Sequence, residues 1–93
     1  MIKSFKCKET EKIFNGSPSK KFPTEIQERV LNKLELIKTS KTINDLRIPP
    51  SNHLEQLSGN RKGQSSIRVN DKYRICFSWK ENSAENVELV DYH

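Results

Sequence analysis

The chain has 93 residues, enough for one hydrophobic core, so we expect a single domain over residues 1–93. The chain has 17 lysines and arginines and 12 aspartates and glutamates, which gives a net charge of +5. This charge favours a polyanionic partner, and nucleic acid is the first candidate. The N-terminal residues Met1–Lys12 lack the apolar core of a signal peptide, and no apolar stretch is long enough to span a bilayer. We therefore expect a cytoplasmic protein without a membrane partner.

The cysteine, histidine and glycine content excludes several kinds of site. Cys7 and Cys76 are too few for a secreted disulfide scaffold, so free thiols in a reducing compartment are expected. No pair formed by these cysteines with His53 and His93 has metal-ligand spacing, so we expect no metal site. The glycines are scattered, which excludes a phosphate-binding glycine loop, and no cofactor is expected.

The N-terminal half of the chain has a helical pattern. Met1–Phe5 is predicted to form a short edge strand and Glu9–Phe14 a short helix. Thr24 is predicted to cap a longer helix, because Gln27 completes a capping box with it. The charged residues of that helix are expected to form a solvated face. Its buried face is predicted from apolar residues at helical spacing, namely Ile26, Val30, Leu34 and Ile37.

The pattern changes to alternation after Pro49-Pro50, so the rest of the chain is expected to form a sheet. Before that point, Lys41–Arg47 is predicted to add one more helical turn. At the other end, Asn86–His93 is predicted as the closing strand, with Val87 and Leu89 facing inward. Helices followed by strands predict an α+β domain, in which the helices pack against an antiparallel-rich sheet.

The segment Gln64–Trp79 has the alternation of a β-hairpin around residues 70–72. A loop of two residues would pair Val69 with Lys72, which puts apolar and charged side chains on the same face. A loop made of residues 70–72 instead pairs Val69 with Tyr73, and the apolar side chains then share one face. We therefore predict the longer loop.

This register places Arg68 directly opposite Arg74 on the other face of the hairpin. Like charges paired across strands destabilise a sheet, and an anion lying over the pair would relieve the repulsion. The alternative is that both arginines point into water or pair with Glu88 or Asp91. The segment Arg47–Arg74 holds six basic and two acidic residues, and this local excess favours the anion.

The sequence ends with Asp91, Tyr92 and His93, which are a carboxylate, a phenol and an imidazole. Histidine has an ordinary pKa near neutrality and can therefore accept or donate protons in a cell. The alternative is a plain terminal strand, in which Tyr92 packs and His93 is solvated. The tripeptide alone leaves both interpretations open.

Several of these strings together resemble the HigB toxins of the RelE/ParE superfamily of bacterial toxin–antitoxin systems. The resemblance covers nearly the whole chain and rests on Met1–Phe5, Leu57–Arg61, Ser66–Asn70, Tyr73–Phe77 and Asp91–His93. It implies a RelE-like, microbial RNase-like fold with helices packed on a curved sheet of about four or five strands. It also implies a ribosome-dependent endoribonuclease that cleaves mRNA in the A site. The implied partner is a HigA-type helix-turn-helix antitoxin, and operator DNA would be contacted only through that antitoxin.

The resemblance also implies which residues form the active site. The catalytic positions are Arg68, Arg74, Asp91, Tyr92 and His93 in this sequence. The residues expected to bind RNA are His53, Arg61, Lys62 and Lys72. Some members of the family carry His and Lys where this chain has Glu55 and Ser58, so neighbours such as His53, Arg61 or Lys62 would have to substitute for them.

The expected chemistry is metal-free attack of an RNA 2′-hydroxyl on the adjacent phosphate. Arg68 and Arg74 would bind the phosphate oxygens, because guanidinium groups match them and remain charged. His93 would act as acid or base, with Asp91 orienting it, and Tyr92 would stack on a base or assist proton transfer. Two other functions remain open, namely a ParE-like gyrase poison and a non-catalytic nucleic-acid-binding or regulatory protein.

Overall fold

The helices precede the strands along the chain and cover one face of the sheet. The structure, a computed structural model, describes residues 1–91, and Tyr92 and His93 lie outside the described residues. The helices are α1 (Lys8–Phe14) and α2 (Thr24–Thr39). The strands form one antiparallel sheet in chain order, β1 (Glu55–Gln56), β2 (Gln64–Arg68), β3 (Tyr73–Lys80) and β4 (Ser83–Asp91). Short 3-10 helices lie at Ile43–Arg47, Pro50–Asn52 and Gly59–Arg61. The α+β prediction is confirmed.

The first residues of the chain run along the outer edge of β4. Ile2 and Phe5 form isolated parallel bridges with Ala84 and Val87. The amide of Ala84 donates to the Met1 carbonyl at 2.8 Å. The predicted edge pairing therefore exists, but as bridges rather than as a regular strand. No helix within residues 1–91 is long and apolar enough to cross a membrane.

The core lies between α2 and the sheet. The predicted buried face of α2 is confirmed, since all four apolar residues, Ile26, Val30, Leu34 and Ile37, are buried. The sheet contributes buried side chains from its three longer strands, chiefly Ile67, Ile75, Phe77, Val87 and Leu89. Burial of such a set of aliphatic and aromatic side chains is the main favourable term in folding.

The predicted capping box at the start of α2 is wrong. Thr24 is the first helical residue, and no side chain caps the helix. The Gln27 amide group instead holds the preceding loop, since it donates to the carbonyls of Ser19 at 2.7 Å and Phe22 at 2.9 Å. Its oxygen accepts from the Ser19 amide at 3.0 Å. Gln27 is long enough to reach these unpaired backbone groups, and they compete successfully with the helix terminus.

The predicted hairpin register is confirmed. Ile67 pairs with Ile75, and the amide of Val69 donates to the carbonyl of Tyr73 at 2.9 Å. The side-chain oxygen of Asn70 closes the loop by accepting from the amides of Lys72 at 2.9 Å and Tyr73 at 2.8 Å. This is the local hydrogen bonding that makes asparagine favourable in turns.

The pairing of β3 with β4 is interrupted by a bulge. Cys76 pairs with Glu88 but Ser78 pairs with Glu85, so β4 contains an extra residue at this point. Asn86 has a positive φ of 55°, as expected for a bulge residue in the left-handed region. A bulge bends its strand and increases the local twist, which curves the sheet around the helices.

The last part of β4 is fastened to α1 by a buried hydrogen bond. The amide of Leu89 donates to the Thr10 hydroxyl at 3.0 Å, and the Thr10 side chain is completely buried. Thr10→Val keeps the shape and leaves this amide without its acceptor, so we expect a loss of about 1–3 kcal/mol in the free energy of unfolding. Urea denaturation measures the loss. Thr39→Val, which alters an exposed hydroxyl on α2, is the matched control, and equal stability of the two variants would contradict the prediction.

Candidate active site

The sheet face turned away from the helices carries the predicted arginine pair. Arg68 and Arg74 are direct cross-strand partners, as the hairpin register predicts. Residues on this face alternate with the core residues of the same strands. We call it the arginine face and define it by Ser66 and Arg68 of β2, Arg74 and Cys76 of β3, and Glu88 and Val90 of β4.

Arg74 is held in a fixed position at the centre of this face. Its Nε donates to the Ser66 hydroxyl at 2.8 Å, and one terminal nitrogen donates to the His53 carbonyl. The same terminal nitrogen lies 3.5 Å from the carboxylate of Glu55 in β1. The Arg74 side chain is only 11% exposed. Its planar guanidinium group is therefore preorganised, which favours the binding of an anion that presents two oxygens, such as a phosphate.

Arg68 points along the strand toward the tip of the hairpin. Its Nε donates to the carbonyl of Asn70 at 3.2 Å, and its terminal nitrogen forms an ion pair with Asp71. The two arginines thus share a face, but their guanidinium groups contact different partners. Each contacts a carboxylate, Asp71 for Arg68 and Glu55 for Arg74.

A third arginine, Arg61 of the 3-10 helix Gly59–Arg61, lies against Glu88, and we include it in the arginine face. Arg61 lies 3.1 Å from the carboxylate of Glu88 and donates to the side-chain oxygen of Gln64 at 3.0 Å. Lys6 also approaches Glu88, at 3.6 Å. Cys76 is completely buried between these strands. Its burial raises the pKa of the Cys76 thiol, so the thiol stays neutral and is a poor nucleophile.

Asp91 lies on the other face of the sheet. It pairs with Tyr73 of the core face, whereas Arg74 pairs with Val90. The Asp91 carboxylate lies 3.6 Å from the ammonium group of Lys72. The register therefore separates Asp91 from Arg74. The two other predicted members of the catalytic set, Tyr92 and His93, lie outside the described residues.

A cleft beside the last residues of β4 lies between the two faces. Its volume is about 690 Å³, and its lining includes Arg61 and Glu88 from the arginine face and Tyr73 and Asp91 from the core side. Asp91 and Arg61 therefore line the same cleft, although they lie on opposite faces of the sheet.

The residues predicted to bind RNA are not gathered on one surface. Arg61 belongs to the arginine face, but Lys62 lines a separate cleft beside Trp79. Lys72 lies over the ring of Tyr73, 5.7 Å from its centroid. The side chain of His53 is exposed, and the contact that joins this residue to Arg74 is made by its backbone carbonyl.

Glu55 is the functional candidate that sequence reasoning missed. In the sequence, Glu55 and Ser58 stand out only as positions where some members of the family carry His and Lys. The structure places its carboxylate against Arg74. Strand β1 has two residues, so alternation could not reveal which face Glu55 occupies.

The thiols of Cys7 and Cys76 are expected to differ in reactivity. Burial tends to raise the pKa of Cys7, but hydrogen bonds at Thr10 and the charge of Lys21 outweigh it and lower that pKa overall. The Lys21 ammonium group lies 4.0 Å from the sulfur. Because the thiolate is the reactive form, iodoacetamide should label Cys7 first in the folded protein. Peptide mass spectrometry measures the labelling, and urea-unfolded protein, in which both thiols should react, is the control. Equal labelling in the folded state would contradict the prediction.

The comparisons with known proteins identify the family. A family model described as the RelE-like toxin of the type II toxin–antitoxin system HigB matches residues 3–93. Toxin HigB-1 of Vibrio cholerae is 39% identical over 90 residues, which cover 96% of this chain and 95% of that protein. Endoribonuclease HigB of Proteus vulgaris is 32% identical over 93 residues, the full length of both chains.

Solved structures support the fold. The crystal structure of a YafQ mutant from E. coli superposes with a TM-score of 0.63 at 11% identity, over 98% of this chain and 93% of that one. The YoeB–YefM toxin–antitoxin heterotetramer of Staphylococcus aureus gives 0.61 at 18% identity, over 100% of this chain and 98% of the matched one. At these identities, the likeness concerns the fold alone, which is that of RelE-like toxins.

Proposed function

Because this chain belongs to the HigB-like toxins of type II toxin–antitoxin systems, we propose that it is a ribosome-dependent endoribonuclease that cleaves mRNA in the A site. The observation that carries the proposal is Arg74, a nearly buried guanidinium group on a sheet face, held beside a carboxylate. The name of the Proteus vulgaris relative, an endoribonuclease, supports the same activity. The whole chain would act as one toxin domain.

The proposed reaction is a transesterification within the RNA strand. The 2′-oxygen attacks the neighbouring phosphorus as its proton passes to a base. The bond from phosphorus to the 5′-oxygen breaks as an acid protonates that oxygen. The products are a 2′,3′-cyclic phosphate and a 5′-hydroxyl. Arg74 would bind the phosphate oxygens, and one such preorganised donor contributes about 3 kcal/mol to transition-state stabilisation. Arg68, its cross-strand partner, would add a second donor.

Glu55 would serve as the base. The Glu55 carboxylate lies 3.5 Å from the Arg74 guanidinium group, so it would lie beside a nucleotide whose phosphate is bound to Arg74. A carboxylate in that position can accept the proton of the 2′-hydroxyl. His93 would then donate the proton to the leaving oxygen, with Asp91 orienting it and Tyr92 stacking on a base.

The proposed partner is a HigA-type helix-turn-helix antitoxin, and contact with operator DNA would pass through it. The family model describes a toxin of a toxin–antitoxin system, which supports an antitoxin as partner. Ribosomes and mRNA are the other proposed partners, so the toxin would act in the cytoplasm. The expected RNA-binding residues on this chain remain His53, Arg61, Lys62 and Lys72.

The decisive experiment adds the purified toxin to ribosomes programmed with a defined mRNA and maps the new 5′ ends by primer extension. We expect a cut in the A-site codon and none on the same mRNA without ribosomes. Supercoiling by gyrase, measured in parallel, should be unaffected. Inhibition of gyrase without RNA cleavage would support the ParE-like alternative, and salt-sensitive RNA binding without a cut would support a non-catalytic binder.

His93→Gln should abolish cleavage in this assay while leaving the thermal melt nearly unchanged, because the substitution removes the proposed proton donor from the last residue. Retained cleavage would exclude the proposed role of His93. The melt of each variant is recorded beside its cleavage rate.

Glu55→Gln should lower the cleavage rate by about 10²–10⁴-fold, the usual contribution of a positioned base, with little change in the melting temperature. The matched control is Glu85→Gln, which removes a carboxylate from the same sheet beside Ser78. The pH dependence of the rate separates the base role from simple positioning, since loss of a base removes the acidic limb of the profile. Equal rates for both variants would show that Glu55 is not the base.

A further inference from the structure

Another cleft, about 470 Å³ in volume, lies between α2 and the tip of the hairpin. Arg29 and Lys33 line it from successive turns of α2, and Arg68 and Asp71 line it from the hairpin. We call it the hairpin cleft. Strand β1 pairs with residues 65–66, so its pairing with β2 ends before Arg68.

The two cations of α2 are positioned by neutral groups. A terminal nitrogen of Arg29 donates to the carbonyl of Val69 at 3.3 Å. The ammonium group of Lys33 donates to the side-chain oxygen of Asn52. Asn52 is completely buried and donates to the carbonyl of Leu46 at 3.1 Å, which fixes this contact. Both cations are thus oriented without having their charge neutralised.

The cleft therefore holds an excess of positive charge. Arg29 and Lys33 lie four residues apart on α2 and are therefore neighbours on its surface. Burial, and then the charge of Arg29, lower the pKa of Lys33. Within residues 1–91, no ion pair involves Arg29 or Lys33. Among the residues described, Asp71 is the one carboxylate in the lining, and its side chain is 96% exposed. An exposed ion pair such as that of Asp71 with Arg68 is easily replaced by another anion.

The position of Arg68 connects this cleft with the candidate active site. Arg68 is the cross-strand partner of Arg74, and it also lines the hairpin cleft. A strand of RNA with a phosphate at Arg74 can therefore continue past Arg68 and into the cleft.

We propose that the hairpin cleft is a second phosphate-binding site, in which Arg29 and Lys33 hold the RNA backbone beside the scissile nucleotide. The proposal rests on the proposed function, since it assigns a path to the RNA bound at Arg74. RNA fits better than an acidic protein segment, because the remaining lining is mainly polar, with Asn32, Ser51 and Asn70 as hydrogen-bonding groups. Grooves for peptides present apolar pockets, whereas phosphates are bound by arginine, lysine, asparagine and serine.

The test measures how RNA binding depends on salt. The probe is a fluorescein-labelled RNA oligonucleotide that is 2′-O-methylated throughout, so it cannot be cleaved, and its Kd is determined by anisotropy over a series of NaCl concentrations. Each phosphate contact on a single strand contributes about 0.7 to the slope of log Kd against log salt. Arg29→Gln with Lys33→Gln should therefore reduce the slope by about 1.4.

The control variant carries Lys20→Gln and Lys80→Gln, which remove the same charge from exposed positions outside the cleft. Its slope should equal that of the wild type. The variant Arg29→Lys with Lys33→Arg keeps both charges and should retain the wild-type slope, which separates charge from packing. A slope for Arg29→Gln with Lys33→Gln equal to that of the control would overturn the proposal, as would a wild-type protein that does not bind the probe.

Cleavage by the wild type on programmed ribosomes is measured separately. If the slope falls as expected but the wild type cuts no mRNA, the cleft binds RNA and the nuclease proposal fails. If the wild type cuts but the slope does not change, the cleft proposal fails alone. Weaker antitoxin binding by the variant, together with an unchanged slope, would assign the cleft to a protein partner and also overturn it.

Discussion

The pairing of β2 with β3 determines both the core and the candidate active site. Asn70 closes the connecting loop with its side chain, and this loop sets which residues face each other along the hairpin. Because side chains alternate along a strand, a shift of one residue would exchange the two faces. Ile67 would then lie opposite Arg74, and one of the two strands would turn charged side chains toward the core. The burial of the apolar side chains thus fixes the positions of the arginines.

The sequence was sufficient to predict the features that depend on long periodic patterns. The apolar spacing of α2 and the register of the hairpin were both predicted correctly, because each involves many residues and a single consistent periodicity. The capping box was predicted wrongly, since a local motif does not show which of several backbone groups Gln27 will reach. Arg29 and Lys33 were expected to form a solvated face, and their contact with the hairpin joins residues distant in sequence.

The candidate active site was predictable only in part for a related reason. The shared face of Arg68 and Arg74 followed from the register, but Glu55 belongs to a strand too short to show alternation. Asp91 illustrates a different limit. Side chains alternate along β4, and this alternation places Asp91 on the opposite face of the sheet from Arg74. The resemblance to a family can assign it to the same site, but whether the two groups share a face depends on the pairing of β4 with β3.

The arginine face and the hairpin cleft differ in how their charges are balanced. On the arginine face, Glu55 and Glu88 neutralise Arg74 and Arg61 in the protein alone, and these contacts keep the guanidinium groups ordered before any ligand arrives. A phosphate that binds there must compete with a carboxylate, so geometry contributes more than net attraction. In the hairpin cleft, Arg29 and Lys33 rest on neutral oxygens, and their charge remains available to a distant polyanion. Long-range attraction of RNA would therefore come mainly from the cleft, whereas selection of the reacting phosphate would come from the preorganised Arg74.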